Sequence, residues 1–165
     1  MKMINNMKNI IALLITVFAV FGVSAKDIDL TKINLNYEQK IVAMTILAEA
    51  RGEGNIGMYA VACIIQTRAK ERKMTLVEVC FAPSQFSCWN GKGSIAEKMQ
   101  AKKQLFDCAQ AEYAGQLARV LWQRSPLDNR VIGNANHYHT TDVKPKWSKG
   151  KKEVALIGNH KFFRL

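Results

Sequence analysis

The residues best equipped for chemistry gather at positions 48–54, where Ala48-Glu49-Ala50-Arg51-Gly52-Glu53-Gly54 sets two carboxylates and a guanidinium close together. A carboxylic acid can protonate a departing glycosidic oxygen, provided apolar surroundings keep it protonated near neutral pH. Glu49 directly follows the apolar run 44–48, whereas Glu53 lies between glycines and reads as the wetter of the two. On an intact helix their Cβ atoms would stand ~5–6 Å apart. That makes Glu53 a candidate second carboxylate for hydrolysis, which wants its pair at about 5–5.5 Å for retention or about 6.5–9.5 Å for inversion. Gly52, however, is expected to end the helix first. A close Arg51–Glu49 pair would spoil the acid, so Arg51 is expected to point elsewhere. Taken alone, a helix-end glutamate that is solvated or paired with Arg51 explains the same residues.

Histidine and cysteine offer other chemistries. His137-x-His139 would place two imidazoles on one face of a strand, and His160 supplies a third possible zinc ligand, the basis of an alternative reading as a zinc-dependent peptidase or amidase. No His-Glu-x-x-His pair accompanies them. Of the four cysteines, Cys80 and Cys88 flank a short loop that a disulfide would stiffen, the pairing favoured among three in an oxidising compartment. Cys63, among Val61, Ile64 and Ile65, reads as a small core residue. The absence of a Cys-x-x-Cys pair argues against zinc held by these thiols.

Helices must carry most of these residues. Asn36 precedes Tyr37-Glu38-Gln39 in the spacing of a reciprocal cap, so a helix is predicted to start there, with Tyr37, Ile41, Met44, Leu47 and Ala48 as one apolar stripe and Glu49 in its last turn. A second helix is predicted over 57–73, a short one from Thr75, a loop over 83–93 and a long helical stretch over 94–122, where Trp122 reads as core. Beyond it, 137–141 suits a strand, and 154–157 with 160–163 flank Gly158-Asn159 as a two-residue hairpin turn. The expected class is α+β, mainly α-helical, with a small antiparallel sheet toward the C-terminus.

The N-terminus carries Lys2 and Lys8, then an almost unbroken apolar run over 10–23 and the small residues Ser24 and Ala25. This reads as a signal peptide over 1–25, followed by a single domain over 26–165 that is exported to the periplasm or secreted. The apolar run falls short of the ~20 residues of a membrane span, and a membrane contact is expected only if the segment stays uncleaved. Without the leader, 22 Lys and Arg face 13 Asp and Glu, a net charge of +9 that seeks anionic partners such as the polymers of a cell envelope. The basic residues are dispersed and lack a zinc-finger or RNP-like motif, so nucleic acid is not an expected partner. No cofactor is expected.

The stretch Ile46-Leu47-Ala48-Glu49-Ala50-Arg51-Gly52-Glu53, with Gly57 and Val61-Ala62, resembles the opening of the spore cortex-lytic type of cell wall hydrolase, the SleB/CwlJ family. Gln85-Phe86-Ser87-Cys88-Trp89, His137-Tyr138-His139, Pro145-x-Trp147 and residues 157–163 resemble its later motifs in the same order, over about residues 40–163. The resemblance implies a lysozyme-like domain that cuts the MurNAc–GlcNAc glycan strand of peptidoglycan with Glu49 as general acid and base, by lytic transglycosylation in preference to hydrolysis. A sugar-binding cleft needs flat apolar faces and orienting hydrogen bonds, for which Phe86, Trp89, Tyr138 and Trp147 are the candidate faces and Gln85, Ser87, His137 and His139 the candidate polar contacts, the resemblance favouring Gln85, Phe86, Tyr138 and His139; each aromatic taken singly also reads as core. Residues 128–136 depart from the glycine- and threonine-rich approach of the family pattern. A non-enzymatic cationic envelope-binding protein is the alternative outside enzymology.

Overall fold

The computed structural model describes residues 34–165; the leader read over 1–25 lies outside the described residues. Helix α1 spans Tyr37–Ala50, and Asn36 caps it as predicted: its Oδ1 accepts from the Gln39 N–H at 2.8 Å while Gln39 Oε1 accepts from the Asn36 N–H at 3.0 Å. Such a cap is worth about 1 kcal/mol. The helix is not one-sided, however. Tyr37 is exposed, and every residue over 41–47 is buried. A helix apolar all round belongs inside a domain, and α1 packs against α2 (Gly54–Arg72), α3 (Leu76–Phe81) and α5 (Ala111–Trp122). Side chains such as Ile41, Ile46 and Leu47 contribute about 1.5–3 kcal/mol each by this burial.

The stretch predicted as one long helix over 94–122 is broken. It comprises α4 (Ile95–Ala101), a 3₁₀ segment (Lys103–Asp107) and α5, with Cys108 extended between the last two. Leu105 and Phe106 are neighbours in sequence, yet both pack against the core. A straight α-helix would turn adjacent side chains about 100° apart. Trp122, at the end of α5, is 40% exposed and is not a core residue.

Strands β1 (His137–Thr140), β2 (Glu153–Ile157) and β3 (His160–Phe163) form an antiparallel sheet in the order β1-β3-β2. The β2–β3 turn is the expected Gly158-Asn159, with Gly158 at φ 54°. A Cβ added at Gly158 would overlap the Glu53 carboxylate, which reaches across from the end of α1 to hold the turn. Gly158→Ala is therefore expected to cost about 1–2 kcal/mol, from left-handed backbone strain plus displacement of Glu53, read as a lower midpoint in urea unfolding. An unchanged midpoint would remove Gly158 as the reason the hairpin can approach α1.

Candidate active site

Glu49 closes α1, half-buried, where the apolar helix meets the sheet and the 82–90 loop. Three donors from two distant segments converge on its carboxylate. Tyr138 Oη donates to Oε2 at 2.9 Å, while the Cys88 N–H and Ser87 Oγ donate to Oε1 at 3.3 and 3.4 Å. Tyr138 is placed for this by its strand: it stacks on buried Phe162 at 5.6 Å between centroids and meets His160 edge-on at 5.0 Å. Burial, together with the neighbouring carboxylate, pushes the Tyr138 phenol well above its ordinary range, so it donates rather than ionises. Ser87 and Cys88 sit on a 3₁₀ turn (Ser87–Trp89) anchored by Trp89, whose Nε1 donates to Thr45 Oγ1 at 2.8 Å inside the core.

Arg68, a residue with no mark in the sequence pattern, is the cation buried beside this group. Its Nε donates to the Asn136 carbonyl at 2.8 Å and its guanidinium lies 5.3 Å from the centre of the Phe86 ring. Its NH1 has no partner among the described residues. Burial lowers its pKa to about 10, against a counter-effect from Tyr138 and Glu49, so it stays charged at neutral pH. Arg51 is exposed and makes no salt bridge among the described residues.

Several residues expected in a cleft lie elsewhere. Phe86 and Trp89 are buried, 2% and 5% exposed, and support the site from below. Gln85 is tied to Arg72, whose NH1 donates to its Oε1 at 3.0 Å. His137 and His139 lie on the face of β1 opposite Tyr138, where Trp147 touches both rings at 5.3 and 5.4 Å. In the β1–β3 register His160 stands opposite Thr140, on the Tyr138 face. The three imidazoles therefore do not converge, and among the described residues no group of three His, Cys, Asp or Glu could hold a metal ion.

Glu53 is also removed from the pair expected with Glu49: its Oε2 accepts from the Asn159 N–H at 2.8 Å, and its Oε1 from Asn159 Nδ2 at 3.4 Å. It is a latch between the helix end and the hairpin. The expected Cys80–Cys88 bridge is absent, and all four cysteines are free thiols. Burial pushes the Cys80 thiol up to about 12, against a smaller opposing effect of its hydrogen bond with Thr45, and Cys88 is raised by burial and by the Glu49 carboxylate it faces. Neither is a ready thiolate.

Burial holds His160 and His137 below their ordinary pKa; Arg68 and Arg72 add to this for His137, while Glu53 and Glu49 oppose it for His160. The unfolded chain thus binds protons from about pH 6.5 while the folded chain stays neutral, so this stability is full above that pH and is lost as pH falls below it. Thermal midpoints should drop between about pH 7.5 and about pH 5. A flat response would contradict neutral burial of the pair.

A helical domain holding one half-buried glutamate under three donors has the make-up of an acid–base glycosidase. The cell wall hydrolase family profile matches residues 52–163, beginning just after Glu49, and the chain belongs to that family. It is a peptidoglycan-cleaving enzyme. Two solved structures are similar to it. The catalytic domain of Bacillus cereus SleB aligns with a TM-score of 0.56 and 26% identity over 77% of this chain and 89% of that one. The catalytic domain of the germination-specific lytic transglycosylase SleB from Bacillus anthracis gives 0.56 and 25% over 79% and 98%. No curated protein matches the chain. Among the described residues no helix is long and apolar enough to cross a membrane.

Proposed function

We propose that the chain is a lytic transglycosylase that cuts the MurNAc–GlcNAc strand, with Glu49 as both acid and base. The observation that carries this reading is the isolation of Glu49: its carboxylate is gathered by Tyr138, Ser87 and Cys88, while Glu53 is bound to the hairpin turn. One carboxyl group suffices for this reaction. Glu49 gives its proton to the leaving glycosidic oxygen as the bond from the MurNAc anomeric carbon breaks. The sugar's own C6 hydroxyl then bonds to that carbon and passes its proton back to Glu49, leaving a 1,6-anhydro end and consuming no water. Hydrolysis by the usual route wants a second carboxylate at a set separation, and the only nearby candidate from the sequence, Glu53, is occupied.

A site open to a polymer outside the cytoplasm requires export, and the reading includes removal of 1–25 as a signal peptide. The positive surface suits an anionic envelope. Mass spectrometry of purified peptidoglycan after digestion tests the chemistry directly. Anhydro-muramic ends are expected; reducing ends would mean hydrolysis, and freed stem peptides a peptidase or amidase.

A further inference from the structure

Away from Glu49, a recess of about 1430 Å³ lies between the C-terminal half of α2, the start of α3, the end of α5 and the segment that follows it. None of Ser87, Cys88 and Tyr138 lines it. Its volume exceeds the ~300–1,000 Å³ of ordinary small-molecule pockets and suits a length of polymer.

Two features of its walls point to one occupant. The first is Trp122, which ends α5 with its side chain 40% exposed on the wall of the recess. An indole left open this way offers a flat apolar face to the C–H face of a sugar ring. The second is an imbalance of charge. Glu71 is engaged by Arg164 and Asn136, and Glu78 by the Thr75 hydroxyl and N–H in the cap of α3. Lys70, Lys73 and Arg124 also line the recess and have no salt-bridge partner among the described residues. Lys73 and Arg124 stand at φ 55° and 57°, left-handed positions just past the ends of α2 and α5 where glycine is the usual residue. The acids are therefore satisfied within the fold while three cations remain for a ligand.

We propose that this recess is an accessory binding site for a peptidoglycan strand, with Trp122 stacking on a sugar and Lys70, Lys73 and Arg124 meeting the carboxylates of the stem peptides. The occupant rests on the wall substrate of the family and not on the part given to Glu49. A polyol-phosphate chain would satisfy the cations but has no ring to stack on Trp122, and a bilayer is too flat to enter a recess. The site would keep the enzyme on an insoluble polymer between cleavages.

The test uses the full mature chain and two variants, Trp122→Ala and the triple Lys70→Gln/Lys73→Gln/Arg124→Gln, all at exposed positions. Cosedimentation with sacculi stripped of secondary polymers should weaken about tenfold in each variant, and added salt should weaken the parent more than the triple variant. Cleavage of a soluble two-disaccharide fragment, too short to reach both sites, should stay within about twofold of the parent. The proposal is overturned if both variants sediment like the parent. It also fails if they lose short-fragment cleavage in step with binding, or if the parent sediments only with sacculi that keep their phosphate polymers. Sedimentation needs no turnover, so running it in the Glu49→Gln background separates failure of this site from failure of the acid assignment.

Discussion

Glu49→Gln is expected to lower peptidoglycan cleavage by roughly 10²- to 10⁴-fold, the range in which a general acid acts, while wall binding survives. The substitution is nearly isosteric. One amide oxygen can still accept from Tyr138, whose hydroxyl lies 2.9 Å from Glu49 Oε2, and the amide NH₂ can turn to Ser87 Oγ, which is able to accept. The Cys88 N–H, now 3.3 Å from Oε1, loses its acceptor. A loss of about 1–2 kcal/mol in stability follows from that one bond, too little to unfold the domain. Release of soluble fragments from sacculi, measured beside the thermal midpoint, separates the two effects. A variant that cleaves near the parent rate would dismiss Glu49 as the acid, however well the fold is preserved.

Local signals made much of the frame legible. The Asn36–Gln39 cap, the Thr75 start of α3 and the Gly158-Asn159 turn depend on a few adjacent residues, and each stands where the sequence placed it. What required the whole chain was harder to read. Tyr37, Ile41, Met44 and Leu47 form a stripe in projection, but Val42, Ala43, Thr45 and Ile46 are buried as well because three helices surround α1. An apolar run is the same text whether one side or every side is covered. The aromatic motif residues illustrate a similar limit: Phe86 and Trp89 are neighbours of the reacting group, yet they serve by packing under it, and sequence does not distinguish a wall from a foundation. Strand alternation did hold the decisive information for the histidines. Residues 137 and 139 must share a face that excludes 138, so placing Tyr138 against Glu49 sends both imidazoles to the other side.

Arg68 was the least legible of the site residues, since nothing in a helix pattern marks one basic residue among Arg68, Lys70 and Arg72 as buried. Its position makes it a positioning charge for the acid, and Arg68→Met tests that. The Nε bond to the Asn136 carbonyl is charge-assisted and worth about 1.5–3 kcal/mol, while the partnerless buried NH1 costs about 1–3 kcal/mol. These offset, and the methionine stem keeps the contact with Phe86, so the net change in stability should be small. The electrostatic effect does not cancel. Removing a buried positive charge from beside Glu49 and Tyr138 leaves the negative charge that develops on Glu49 as it gives up its proton less stabilised, so cleavage should fall by roughly tenfold. Arg68→Lys keeps the charge but not the planar fork, and should hold cleavage near the parent rate while losing the Asn136 contact. If both variants lost cleavage equally, Arg68 would be acting through packing; if neither lost it, the guanidinium has no electrostatic hold on the acid.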